Sequence, residues 1–409
     1  MSTLRHWLWL SARGPAPGMY AARILERFGT PEAAYFAGES DYAQIPGLPG
    51  SVRQALMDKS LEEADGILAR CETLGIQVLT MQDTAYPERL KQLETAPCVL
   101  YVKGRLPLID EEAAVTIVGA RRASPYGVKT AGEFALGLAR QGVLVISGSA
   151  VGVDAAALKG ALRGGGRVVS VLGNGIDVIY PKENRDLYED VAAAGALVSE
   201  YPPGTPPAPE HFPVRNRLLA GLSLGVLVVE GAARSGSLIT ARWALDQDRD
   251  VFAIPGPIGA ELSKGPNALI RRGEARLVSD VWDILEEYED LYPAKLHPKV
   301  PLSAQAEQDR LSGIGGKAKA PRTPPAPEAA PAEARLIIDL TSDPEALTDD
   351  EAAILRALQG DQARTADDLV DQTGIPARRV LSALTMLQVR QLAEQGEAGR
   401  FSTKVVLKE

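Results

Sequence analysis

Apolar positions along the chain fall into three regimes. Up to about residue 110 they recur at helical spacing, in Ala21–Phe28, Ser51–Met57 and Leu61–Leu74, with the turn sequence Ile45-Pro-Gly-Leu-Pro-Gly50 between the first two. This predicts a small helical domain over 1–110. From Ala113 the pattern changes to short continuous apolar runs, Val115–Gly119, Val143–Ser147, Val168–Leu172, Ala196–Ser199, Val226–Val229 and Val251–Ile254, separated by helical segments. Strands apolar on both faces imply a parallel sheet covered by helices on each side. Right-handed crossovers then make a doubly wound, Rossmann-like α/β domain over 113–288. The third regime begins at Lys299–Ala334, where Pro, Ala, Gly and charge dominate, and predicts a flexible linker within 289–344. Beyond it, helical spacing at Asp349–Ala357, Thr365–Thr373 and Pro376–Leu387, followed by strand-like Gln391–Glu394 and Phe401–Leu407, predicts a winged helix over 345–409.

A chain of 409 residues suits these two or three domains. No apolar run approaches the roughly 20 residues of a membrane span. Trp7–Leu10 follows Arg5 but is cut short by Arg13, too soon for a secretory signal, so a cytoplasmic protein is expected, with no membrane insertion. The two cysteines, Cys71 and Cys98, lack metal-ligand spacing, which argues for reduced thiols rather than a disulfide framework or a structural zinc site, and no cofactor is expected.

The net charge of −9 argues by itself against a polyanionic ligand, but its distribution does not. Residues 115–285 carry 18 Lys/Arg against 17 Asp/Glu, and the acidic excess lies on either side of them. Within this block Arg121, Arg122, Lys182, Arg185, Arg215 and Arg217 stand beside loop signals, where they make either one local basic groove or a scattered solvated surface.

Ligands of a doubly wound sheet bind outside the carboxyl ends of its strands. After the first run comes Gly119-Ala-Arg-Arg-Ala-Ser-Pro125, in which Ser124 caps a helix and Pro125 opens it. No Gly-x-Gly-x-x-Gly is present. Arg121 and Arg122 replace the glycines that would admit a pyrophosphate, and suit phosphate oxygens instead, unless they are ordinary surface arginines. After the second run, Ser147-Gly148 leads through Gly152 to Asp154, whose place in a first helical turn favours a structural role over a catalytic or ribose-binding one. Tyr180-Pro-Lys182 follows the third run. His211-Phe-Pro-Val-Arg-Asn-Arg217 sets Phe212 beside Arg215, Asn216 and Arg217, the combination that stacks on an exposed base while charges hold the backbone; a buried Phe212 anchoring its loop is the alternative. Last, Ser235, Gly236, Ser237 and Thr240 gather hydroxyls and backbone donors at a helix start, an anion site.

Nothing pairs a nucleophile with a base, and the Gly-Lys-Ser/Thr run of a Walker loop is missing, so a phosphate-binding surface rather than an enzyme is expected. Elsewhere, the Pro-Gly turn near residue 47 is equally that of a SAM or helix-hairpin-helix module contacting phosphate and that of a plain turn. The second and third C-terminal helices meet at Thr373-Gly-Ile-Pro376. Their recognition helix offers only Arg378, Arg379 and Arg390 in an acidic domain, which favours protein contact over strong duplex binding.

Together, Gly119-Ala-Arg, Gly173-Asn-Gly-Ile-Asp-Val-Ile-Tyr-Pro181, Ser199-Glu-Tyr-Pro-Pro-Gly204, Phe212–Arg217, Arg234–Thr240 and Phe252–Gly256 resemble the DNA-processing protein A (DprA/Smf) family in order and spacing over Val115–Leu285. The resemblance implies a homodimeric single-stranded DNA-binding protein of natural transformation. Such a protein protects incoming strands, works beside single-strand-binding protein and loads the recombinase RecA, with weak or no duplex binding. It also implies phosphate and base contacts from Arg121, Lys182, Phe212, Arg215, Asn216, Arg217, Ser235, Gly236 and Ser237, and a dimer surface around Asn267, Ile270 and Leu277. Two positions depart from the pattern, with Val151 in place of the family's Arg and Leu158 in place of its His. A second reading, nucleoside-monophosphate phosphoribohydrolase, rests on similar Rossmann-like domains. It needs a Pro-Gly-Gly-x-Gly-Thr-x-x-Glu loop, where this chain has Gly231-Ala-Ala-Arg-Ser-Gly-Ser-Leu-Ile-Thr240 and no glutamate.

Overall fold

The computed structural model describes residues 2–14, 18–296, 336–339, 347–359, 364–390, 392–395, 400–403 and 405–408. They fall into two compact units, one within Met1–Ala318 and one within Lys319–Glu409. Most of the linker expected over 289–344, namely 297–335 and 340–344, lies outside the described residues.

In the first unit, helices α1 (Ser2–Ser11), α2 (Ala21–Phe28), α3 (Pro31–Phe36), α4 (Glu39–Tyr42), α5 (Gly50–Met57) and α6 (Glu62–Leu74) come first. The Pro-Gly turn joins α4 to α5 and is pinned by buried Ile45 and Leu48. Strands β1 (Gln77–Thr80) and β2 (Val99–Gly104) follow, with the short helix α7 (Glu88–Lys91) between them. The six expected strands then appear as β3 (Ala114–Val118), β4 (Leu144–Ser147), β5 (Val168–Leu172), β6 (Ala196–Ser199), β7 (Gly225–Val228) and β8 (Asp250–Ala253), and β9 (Arg276–Leu277) ends the sheet. The crossover helices are α8 (Pro125–Arg140), α9 (Val153–Arg163), α10 (Arg185–Ala194), α11 (His211–Gly221), α12 (Gly236–Asp246) and α13 (Lys264–Arg271), and α14 (Trp282–Leu285) closes the unit.

The nine strands lie in the order β1-β2-β6-β5-β4-β3-β7-β8-β9. From β6 to β9 all neighbours are parallel, whereas β2 is antiparallel to β6 and β1 to β2. β3 to β8 are built mainly of buried Val, Ile, Leu and Ala, with Thr116, Ser147, Ser170 and Ser199 also buried, as a sheet covered on both faces requires. One face packs on α8, α9 and α10 in a continuous core shared with Trp7, Leu8, Trp9 and Leu10 of α1; the other packs on α7, α11, α12 and α13.

Two boundaries therefore differ from those expected. The sheet begins at residue 77, not 113, because Tyr101–Gly104 of β2 pair with Ser199–Ala196 of β6 and extend the sheet past its last parallel strand. The first unit also continues past 288. Arg89, buried, donates to the Tyr292 hydroxyl (2.7 Å) and to the Glu112 carbonyl (2.9 Å), and Lys295 pairs with buried Glu112 (3.2 Å), which fastens the segment to the domain.

The second unit contains β10 (Leu336–Asp339), α15 (Asp349–Ala357), β11 (Arg364–Thr365), α16 (Ala366–Thr373), α17 (Ala377–Val389), β12 (Ala393–Gln395), β13 (Arg400–Thr403) and β14 (Val405–Lys408). Thr348 and Thr365 form reciprocal capping boxes with Glu351 and Asp368, which fix where α15 and α16 begin. β11, β13 and β12 form the wing. β10, inside the stretch expected to be linker, pairs in parallel with β14.

Candidate nucleic-acid interface

β3 and β7 are parallel neighbours from which successive crossovers run in opposite directions, so the sheet has its topological switch point between them. A cleft of about 540 Å³ opens there, at the carboxyl edge. Its walls come from the loop after β3, the starts of α9, α11 and α12, Tyr180 after β5, and Pro207–Pro209. Gly152, at φ +83°, lets the loop leading into α9 pack directly on the Ala120 and Arg121 carbonyls, where any Cβ would collide.

Arg121 and Arg122 are exposed on the first loop. The Arg121 guanidinium carbon sits 4.8 Å from the centroid of the Phe212 ring, which is half-buried in the first turn of α11. Tyr180 lies 5.6 Å from Phe212, tilted by 35°. Lys182 is exposed in the 3-10 turn Lys182–Asn184 that follows. Opposite, α12 starts with no side-chain cap: the Ser235 hydroxyl pairs instead with that of Ser237 (2.7 Å), Gly236 is exposed, and Thr240 is buried one turn on. A helix start of this kind presents backbone donors and the positive end of the helix dipole to the cleft.

Other expected contacts are engaged in holding the fold. Arg217 is 1% exposed and grips Glu200 through two bonds, 2.8 and 2.6 Å, with a third to the Thr95 carbonyl (3.2 Å), so its charge is buried and neutralised within the fold. Arg215 is also buried. It donates to the Gly148 carbonyl (3.2 Å) and the Val171 carbonyl and supports Phe212 at 5.9 Å, so it shapes the cleft floor. Asn216 bonds the Gly236 carbonyl (3.2 Å) and ties α11 to α12. Ser147 is fully buried on the Ile117 carbonyl (2.7 Å), away from solvent. Ser124 caps Gly127 (3.1 Å) as expected, but its N–H and hydroxyl are both taken by Glu230, at 2.9 and 2.5 Å. The start of α8, where a dinucleotide pyrophosphate would sit in this fold, thus carries a protein carboxylate, leaving the start of α12 as the open anion position. Gly119 packs against Val153 beneath the loop, and Gly148 lies over Arg215 and Asp154.

Of the two departures, Val151 is 36% exposed beside Arg121 and Tyr180, and Leu158 is fully buried in the core of α9. His211 stacks on Tyr201 at 4.2 Å, with Nδ1 3.1 Å from the Gly173 carbonyl. Tyr180 and Asp154 both line the cleft, although sequence reasoning included neither among its contacts. An aromatic residue beside Lys182 in the loop that follows β5 was the available signal for Tyr180. Asp154 is buried, and desolvation raises its pKa to about 6 against the opposing pull of Arg215.

The sheet order, the switch-point cleft and the C-terminal unit define a Rossmann-like α/β protein bearing a winged helix. A family model for DNA recombination-mediator protein A matches residues 77–289, and one for the DprA winged helix domain matches 339–399. The chain belongs to the DNA recombination-mediator protein A (DprA/Smf) family. It is 44% identical to DNA processing protein DprA of Streptococcus pneumoniae over 249 residues, 61% of this chain and 86% of that one. Identity to Protein Smf of Synechocystis is 31% over 98% of both chains. The crystal structure of the Streptococcus pneumoniae DprA superposes with a TM-score of 0.60 at 34% identity, covering 69% of this chain and 97% of that one.

Proposed function

We propose that this protein binds single-stranded DNA in the switch-point cleft and hands it to RecA. The observation that carries the reading is the pairing of Arg121 with Phe212 across from the uncapped start of α12. An unpaired base stacks on the half-exposed Phe212 ring, its phosphates meet Arg121, Lys182 and the Ser235–Ser237 turn, and a duplex, whose bases are already stacked, cannot reach the ring. Family membership supports the recombination role: protection of incoming strands in natural transformation, work beside single-strand-binding protein, and RecA loading.

The winged helix is a weak duplex reader. Arg379 is held by a bidentate pair with Asp350 (2.7 and 2.6 Å), and Arg390 pairs with Glu351 (3.4 Å). Dimerisation runs through the β9 edge, where Leu277 is 47% exposed and Ile270 half-buried; Asn267 braces the surface by two bonds to the Gly256 backbone, 3.1 and 2.9 Å. Titration of labelled oligothymidine with wild-type protein and with Arg121→Ala and Phe212→Ala tests the cleft. Unchanged affinity in both variants removes it as the binding site. For RecA, nucleation rates on oligonucleotides coated with single-strand-binding protein should rise when the wild-type chain is added and stay at background when it is not.

A further inference from the structure

A carboxylate lining the cleft of a polyanion-binding protein needs a reason. Asp154 occupies the first turn of α9, is 7% exposed, and faces the same space as Arg121, Phe212 and Tyr180. It accepts a long hydrogen bond from the Ala150 N–H, 3.4 Å, and a second from the Gly148 N–H. Arg215 lies close by: a Cβ built on Gly148 would be 2.6 Å from its Nη2 and 2.7 Å from Asp154 Oδ2. Arg215 directs Nη1 at the Gly148 and Val171 carbonyls, and the Ala150 and Gly148 N–H groups fill two of the roughly four acceptor positions of the carboxylate, so it retains acceptor capacity toward the cleft.

The chemistry of a DNA strand limits what Asp154 can accept. Phosphodiesters and internal deoxyriboses carry no N–H or O–H donor, and a phosphate brought to a carboxylate is repelled. Only base N–H groups remain. Adenine, cytosine and thymine each offer a carboxylate one donor position, whereas guanine alone presents two, N1–H and N2–H, side by side on one edge, spaced for the two oxygens of a carboxylate. The cleft volume of about 540 Å³ accommodates a purine, and Phe212 with Tyr180 supplies aromatic faces beside it.

Building on the single-strand reading, we propose that Asp154 selects the base lodged in the cleft and favours guanine, accepting N1–H and N2–H on its two carboxylate oxygens while the base stacks on Phe212.

The test measures anisotropy of full-length protein with labelled oligothymidine carrying one central guanine, hypoxanthine or adenine. A guanine should tighten binding about tenfold over plain oligothymidine, since one bidentate base contact is worth that order of discrimination. Hypoxanthine, which keeps N1–H but lacks the N2 amine, should retain about threefold of it, and adenine none. Asp154→Asn should treat guanine and thymine alike, whatever the loss of a negative charge from the cleft does to its affinity for plain oligothymidine. Equal wild-type affinity for all four oligonucleotides, or a guanine preference that survives Asp154→Asn, overturns the proposal. Should Asp154→Asn fail to fold, the wild-type series alone decides. Absence of binding to every oligonucleotide would instead sink the single-strand reading, and this inference with it.

Discussion

Arg121 and Arg217 stand at the same edge of the sheet, and their surroundings give them opposite work. Arg121 is exposed over an aromatic ring, so its guanidinium can exchange water for phosphate at little cost. Arg217 has no access to solvent, and its charge is neutralised by Glu200. Removing one partner of a buried pair costs about 3–5 kcal/mol, because the other charge is left unpaired. Arg217→Ala should therefore lose about that much stability in urea unfolding. A variant that keeps wild-type stability and loses only DNA affinity would return Arg217 to the interface. Arg121→Ala should keep stability and lose about tenfold in affinity at low salt, with the slope of log affinity against log salt shallower by about 1. Sequence alone could not separate these two arginines: Glu200 lies 17 positions from Arg217 and meets it only after folding, and both arginines stand beside loop signals. Asp154 also has a stability signature. Its folded pKa, raised by burial to about 6 from 3.8, means the native state holds this proton more tightly than the unfolded chain. Its stabilising contribution is full below about pH 4 and is lost as pH rises through 6. The stability difference between wild type and Asp154→Asn should shift by about 3 kcal/mol against wild type from pH 4 to pH 7. A difference that stays flat with pH would mean the carboxylate is solvated.

At the scale of elements, the parallel strands were legible because a sheet buried on both faces leaves uninterrupted apolar runs, and all six runs became strands. β1 and β2 were not. β1 has only four residues with an exposed first position, and what makes β2 a strand is its pairing with β6, nearly a hundred residues away, which no local period encodes. The start of α12 was visible as a Ser/Gly cluster, while the filling of the start of α8 was not, because Glu230 reaches Ser124 across 106 positions. The pairing has a direct consequence. A fragment of residues 113–288 lacks β2, uncovers the β6 edge and removes the apolar face of α1 from the core, so it should aggregate or show broad, uncooperative unfolding, whereas residues 1–296 should unfold cooperatively. Cooperative unfolding of the shorter fragment, at the same midpoint as the longer one, would show that the first 112 residues are an appendage.

For the whole molecule, the proposed affinity for a polyanion has to arise against a net charge of −9, which would place it in a few strand-end loops rather than in bulk charge. Among the described residues no helix is long and apolar enough to cross a membrane. The winged helix, with two of its recognition-helix arginines engaged by Asp350 and Glu351, adds little positive surface. In the proposed function the cleft takes a single strand by charge and stacking together. The most direct measurement is the affinity of the full chain for a single-stranded oligonucleotide and for its duplex across a salt series, repeated with Phe212→Ala. The single strand should bind far more tightly than the duplex at every salt concentration, and Phe212→Ala should weaken it by about 1–3 kcal/mol without altering the salt slope. Equal affinity for both forms, or a Phe212→Ala variant that binds as wild type does, would contradict it.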